Sequence, residues 1–216
     1  MRLHHARTAL ELHELSDREG PALLLLHALG GSSADWSEAP ALWRGRVFAL
    51  DFSGHGRSAW VRGGVYAPEL LAGDADTALA QIGGAVLAGA GIGAYVALLL
   101  AGGRRDRVPA ALLLPGRGLE GGGPQPDFDR DVLTPVLPGA GPPLPSGCDP
   151  LCCALQCDVR PPDYVAPFAA AARRVLLFDD SGARPPWWER VRQSPAARSI
   201  AGDVRDAVAQ LALMRE

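Results

Sequence analysis

The run from Ala22 to Leu26 is apolar without a break and is closed by His27, whereas Thr8 to Leu15 alternates apolar and polar positions. Alternation is the period of a strand with one wet face, and a short unbroken run suits a strand covered on both faces. Thr8–Leu15 is therefore predicted as an edge strand and Ala22–His27 as a buried one. Ala34–Trp43 reads as a short helix and Val47–Phe52 as the next strand. Pro68–Ile82 reads as a helix, with proline in its first turn and Gly83 at its end. Strand and helix then alternate again: Ala85–Ala88, Ile92–Ala101 and Ala110–Leu114. Helices near Pro150–Gln156 and Pro162–Ala172 precede a strand at Arg174–Phe178. A helix at Pro186–Arg192, a weak strand at Ala197–Ile200 and a last helix capped by Asp203 close the chain. This alternation predicts an α/β class with a mostly parallel central sheet covered on both faces.

Composition narrows the function. The 216 residues are 48% apolar, enough for one sizeable core, so a single domain 1–216 is expected. All 21 basic residues are arginine, scattered among 24 acids for a net charge of −3, so nucleic acid is not an expected partner. No apolar run approaches the ~20 residues of a membrane-spanning helix, and the start Met1-Arg2-Leu3-His4-His5 has no signal-peptide core. A cytoplasmic protein that does not engage a membrane is the expectation. From Pro115 to about Gly147 the chain is rich in proline and glycine, a composition for a long loop or lid and not for regular structure.

Three motifs fall at the ends of successive predicted strands, where open α/β sheets bind ligands. They are His27-Ala28-Leu29-Gly30-Gly31-Ser32, Asp51-Phe52-Ser53-Gly54-His55-Gly56-Arg57-Ser58 and Gly89-Ala90-Gly91-Ile92-Gly93. In this order they resemble the α/β-hydrolase family over about residues 20 to 115. The first is similar to the family's oxyanion turn, the second to its D-x-x-G-x-G-x-S loop, and the third to its G-x-S-x-G elbow. The resemblance implies a three-layer α/β-hydrolase-like sandwich whose cap is absent or reduced to the 115–147 segment.

The elbow position that holds the family's nucleophilic serine is Gly91 here, and glycine has no side chain to attack with. The family's acid and histidine follow the serine in the chain. All five histidines of this chain lie at or before position 55, and Asp203, near where a family histidine would stand, reads as a helix cap. In Asp179-Asp180-Ser181-Gly182-Ala183-Arg184-Pro185-Pro186 the family's acid position falls on Gly182, and Asp180 is the nearest candidate. The expectation is a pseudoenzyme without serine-hydrolase chemistry that binds a small apolar molecule in a retained pocket. His27, Ala28, Leu29, Gly91 and Ile92 are its candidate ligand-binding residues. Space left by the serine and imidazole, and lining by Tyr95, Trp60, Trp187 and Trp188, belong to the same expectation.

Other readings stay open. His27 or His55 would serve as the base of a hydrolase or lyase acting on a small ester or carbonyl compound, with Ser32, Ser53 or Ser58 as polar partners. Equally, His27 reads as a group that bonds neighbouring backbone, Asp51 as an acceptor of loop amides, and His55 and Arg57 as solvated loop residues. Gly89-x-Gly91-x-x-Ala94 has the spacing of a dinucleotide fingerprint, although the next strand ends in Leu114-Pro115-Gly116 without the acid that would hold a ribose. A structural subunit that uses the fold's surface for a partner is a further possibility, and the chain is expected as a monomer or homodimer. Cys148, Cys152, Cys153 and Cys157 have the pattern C-x3-C-C-x3-C, two i,i+4 pairs on adjacent helical faces that could bind a soft metal, but without the C-x2-C spacing of familiar zinc and iron-sulfur sites and with no histidine nearby. They read as small helix residues, with no metal and no cofactor expected.

Overall fold

A computed structural model describes residues 1–61, 65–119, 147–156, 160–179 and 184–213. Its centre is an eight-stranded sheet in the order β1-β2-β4-β3-β5-β6-β7-β8. The strands are β1 (Arg2–His5), β2 (Thr8–Asp17), β3 (Leu23–Leu26), β4 (Arg46–Asp51), β5 (Val86–Ala90), β6 (Ala111–Leu114), β7 (Val175–Phe178) and β8 (Ala197–Ile200). β1 and β2 are antiparallel, and β2 joins β4 antiparallel. From β4 through β3, β5, β6 and β7 to β8 every pairing is parallel.

Side chains alternate across a strand, so an apolar run feeds two cores at once. Leu24, Leu26, Phe48, Leu50, Leu87, Leu113 and Leu177 face one core, packed on helices α2 (Pro68–Ile82), α3 (Ile92–Gly103), α4 (Ala166–Ala171) and α5 (Pro186–Arg192). Leu23, Leu25, Val47, Ala49, Val86, Ala88, Leu112 and Leu176 face the other, covered by Trp36 and Trp43, by Ala39 and Leu42 of α1 (Ala39–Leu42) and by α6 (Val204–Leu213). That arrangement is the three-layer sandwich. α3 is buried from Ile92 to Ala101, as a helix pinned between sheet and neighbouring helices must be.

Three details differ from the sequence expectations. β2 is not the edge: the four residues of β1, alternately exposed and half-buried, cover it, and strands this short and polar carry little pattern. The helix expected over 34–43 is a 3-10 turn, Ser33–Trp36, followed by α1. Pro40 is tolerated only in a first turn, so the helix restarts at Ala39, and Ser32 closes the 3-10 turn with a capping box to Asp35. Pro150–Gln156 is 3-10 and not α-helical. Most of the 115–147 segment and Asp180 lie outside the described residues.

Candidate functional site

The C-terminal ends of β3, β4 and β5 bring the three motifs together. Gly91, between β5 and α3, has φ +54° and ψ −118°, a conformation side-chain-bearing residues enter only under strain. This is the geometry of a nucleophile elbow. In that geometry the amide after the nucleophile and an amide of the β3 turn converge on an oxyanion. Here those amides belong to Ile92 and Leu29, and they do converge. Both donate to the carbonyl oxygen of Arg117, Leu29 at 3.1 Å and Ile92 at 2.9 Å.

The oxyanion hole is thus filled by the protein's own main chain. The segment after β6 folds back over the elbow so closely that a Cβ on Gly91 would lie 2.0 Å from the Arg117 carbonyl oxygen. Leu119, at the end of this plug, donates to the Leu155 carbonyl at 2.7 Å and accepts from the Trp187 indole at 3.0 Å. The expectation that loss of the serine leaves space above the elbow is overturned: backbone carbonyl and amide groups need partners, and here they satisfy each other. The same contact occupies the N-terminus of α3, where a pyrophosphate would have to sit in the dinucleotide reading.

Both histidines near the elbow are buried and face main-chain groups. His27 is fully buried; its Nδ1 faces the Ala28 carbonyl at 2.7 Å and its Nε2 accepts from the Phe52 amide at 3.1 Å. Two backbone partners fix the neutral tautomer. Burial first, and the neighbouring His55 second, push its pKa down to about 3. His55 is also fully buried, its ring 4.9 Å from that of His27 and its Nδ1 3.2 Å from the Ser53 carbonyl. His13 and His5 face the buried carboxylates of Asp51 and Asp74.

Asp51 is the hub of the loop after β4. Its carboxylate accepts from the amides of Ser33 at 2.6 Å and Arg57 at 2.9 Å. Burial raises its pKa, but these amides and His13 outweigh that and hold the carboxyl below its usual range. The structural reading of Asp51 holds. Ser58 donates to the Asp51 carbonyl and accepts from Glu11, Ser32 caps the 3-10 turn, and the Ser53 amide donates to Asp74. The Ser32 and Ser58 hydroxyls are loop fasteners, and at Ser53 the fastener is the main-chain amide.

At the ends of β7 and β8 the polar groups are likewise engaged. Asp179 accepts from Arg192 at 2.8 Å, and Asp203 accepts from the Arg205 amide at 2.8 Å as the cap of α6. Beside them lies a cavity of about 380 Å³, lined by His27, Ala28, Trp36, Ala90, Leu114, Phe178 and Val204 among others. Of the five expected ligand-binding residues, His27 and Ala28 border it, while Leu29, Gly91 and Ile92 lie under the plug. Tyr95, Trp187 and Trp188 are core residues, Tyr95 edge-on to Trp187 at 5.1 Å, and Trp60 is 52% exposed. Trp36 and Phe178 are the large aromatics that line the cavity.

The cysteine segment has a neighbour the sequence spacing concealed. Cys148 and Cys152 come within 4.8 Å of His55, and all three are buried. The expectation of no histidine nearby is corrected: proximity here is tertiary, across 97 residues of chain between His55 and Cys152. Cys157 lies outside the described residues.

A sequence profile of the alpha/beta hydrolase family matches residues 23–214. The chain belongs to the alpha/beta hydrolase family. Among solved structures it is similar to the enol-lactonase from Burkholderia xenovorans LB400, with TM-score 0.71, 19% identity, and 98% of this chain and 99% of that one covered. It is also similar to Est1E from Butyrivibrio proteoclasticus, solved with ferulic acid bound, with TM-score 0.71, 16% identity, and 100% and 98% covered. A third is the bottromycin epimerase BotH, solved in complex with bottromycin A2, with TM-score 0.67, 20% identity, and 100% and 96% covered. No curated protein sequence matches the chain. No described helix is long and apolar enough to cross a membrane.

Proposed function

We propose that this member of the alpha/beta hydrolase family does not carry out serine-hydrolase chemistry and instead holds a small apolar molecule in the cavity beside the oxyanion turn. One observation carries the reading: the Arg117 carbonyl accepts both oxyanion-hole amides, Leu29 and Ile92. An oxyanion hole accelerates acyl transfer only by donating to charge that develops on the substrate. Donors already bonded to a fixed carbonyl have nothing left to give. The glycine elbow and the backbone-locked His27 point the same way. The fold also hosts work other than hydrolysis, as the bottromycin epimerase illustrates.

The cavity suits a small ligand. Its 380 Å³ is near the lower end of the roughly 300–1,000 Å³ typical of small-molecule sites, and Ala28, Ala90, Leu114 and Phe178 give it apolar walls. The Trp36 indole N–H is buried without a hydrogen-bond partner among the described residues, and Trp36 lines the cavity. It supplies one donor for a ligand's polar atom.

A fluorophosphonate probe is expected to label nothing, and nitrophenyl acetate to turn over at the background rate. Acetophenone, whose carbonyl accepts from the Trp36 N–H, should at about 100 times its Kd raise Tm by roughly 5–11 °C, from ~2.7 kcal/mol of linkage. Ala90→Phe, which fills the cavity, should remove that rise. Ester turnover well above background that disappears in His27→Ala or His55→Ala would overturn the reading.

A further inference from the structure

The cluster of His55, Cys148 and Cys152 takes no part in the function proposed above. Its donors come from two segments: the loop after β4, and the turn that begins at Gly147 and continues into the 3-10 helix Pro150–Gln156. A main-chain hydrogen bond already joins them, from the Asp149 amide to the Gly54 carbonyl at 2.7 Å. Gly54, at φ +79°, makes room for the sulfur: a Cβ there would lie 2.7 Å from Cys152 Sγ. Both thiols are free.

Three features fit one kind of occupant. The donor atoms lie within 4.8 Å of one another, and Cys152 Sγ is 3.9 Å from His55 Nδ1. A tetrahedral zinc ion with bonds of ~2.3 Å to sulfur and ~2.0 Å to nitrogen sets that edge at about 3.5 Å. The site is dry, with His55 and Cys152 at 0% and Cys148 at 6% exposure. Binding through Nδ1 takes the neutral tautomer with its proton on Nε2, so Nδ1 gives up its present neighbour, the Ser53 carbonyl at 3.2 Å. Charge also balances. Two thiolates and a neutral imidazole neutralise a divalent cation, so the bound site would bury no net charge. The nearby Asp149 carboxylate is held by its own donors, the Tyr66 hydroxyl at 2.8 Å and the Leu151 amide at 3.0 Å.

We propose that His55, Cys148 and Cys152 form a binding site for a thiophilic divalent cation of the Zn2+ class, which staples the turn around Cys152 to the loop after β4. The three donors leave the fourth tetrahedral position open. The turn being stapled is also the one whose Leu155 carbonyl holds Leu119 at the end of the plug. The ion therefore acts as a structural clamp on the wall behind the elbow. Binding is accompanied by release of the two thiol protons, so affinity rises with pH.

The test uses the full-length protein, reduced and freed of metal by chelator dialysis, titrated with Co2+ and then Zn2+. One equivalent of Co2+ should bind with thiolate-to-cobalt charge-transfer absorption, and one equivalent of Zn2+ should displace it. Zn2+ should protect two thiols, mapped by mass spectrometry to Cys148 and Cys152, from alkylation. Cys148→Ser, Cys152→Ser and His55→Ala should each weaken binding by about 100-fold or more, while Cys153→Ser binds as the parent does. The alkylation pattern of the unaltered protein decides the matter even where a variant fails to fold. Absence of saturable one-to-one binding, protection of any other pair of cysteines, or a Cys148–Cys152 disulfide in the protein as isolated would overturn the proposal.

Discussion

Adding one carbon at the elbow measures how tightly the plug is seated. Gly91→Ala places a methyl group 2.0 Å from the Arg117 carbonyl oxygen, 2.6 Å from the Gly116 carbonyl carbon and 2.7 Å from the Arg117 nitrogen. All three are backbone atoms, so no side chain can swing aside. The segment must lift, and both hydrogen bonds to Arg117 break, at ~1 kcal/mol net each. The left-handed φ adds ~1–2 kcal/mol for any residue with a Cβ. The sum is about 3–4 kcal/mol, or a fall in Tm of roughly 6–16 °C for a domain of this size. Gly83→Ala is the control, because Gly83 has φ +90° with nothing within 4 Å of a built Cβ. It carries only the backbone penalty, roughly 2–8 °C. Urea unfolding of the two variants beside the parent makes the comparison directly. Equal losses in both would refute the seating of Arg117 on the elbow. Gly91→Ser should lose at least as much and still resist a fluorophosphonate, since its hydroxyl gains neither an open oxyanion hole nor a base.

Further outcomes follow from the buried polar groups. His27 has its pKa lowered from 6.5 to about 3, so between those values the unfolded chain binds a proton that the native state refuses. Stability should fall as pH drops through that window, at ~1.4 kcal/mol per unit, giving about 2 kcal/mol between pH 6.5 and pH 5. His27→Gln should flatten that slope by about one proton in urea titrations, and an unchanged slope would contradict the assignment. Asp51 adds stability in the same sense but at lower pH, where its depressed carboxyl finally protonates, and Asp74, raised by burial, acts oppositely in both proteins and cancels in the comparison. Asp51→Ala should cost about 2–4 kcal/mol, because the amides of Ser33 and Arg57 lose their acceptor, and a loss under ~1 kcal/mol would contradict its role as the loop's hub.

Much of the scaffold was legible in the sequence because it is written in residue type. Four consecutive leucines at Leu23–Leu26 announce a strand covered on both faces, and the strand-helix alternation announces a parallel sheet. The elbow was legible for the same reason, since Gly91 sits where only a residue indifferent to positive φ is unstrained. Asp203 as a cap and Asp51 as an acceptor of loop amides also follow from side-chain chemistry. β1 was not legible: its two histidines and alternating exposure carry no hydrophobic signal, and it forms only because β2 offers a partner.

The site divides along the same line. The sequence by itself determined that the family's nucleophile position is a glycine and that no histidine follows residue 55, because presence or absence of a functional group is a matter of composition. It could not show where the Arg117 carbonyl points, since every residue has the same carbonyl and only the path of the chain aims it. Nor could it place His55 against Cys148 and Cys152, which meet because the loop after β4 and the turn before α4 are packed on one another. Tertiary structure alone closed the oxyanion hole and gathered two sulfurs and an imidazole, for both depend on main-chain paths that residue identity does not encode.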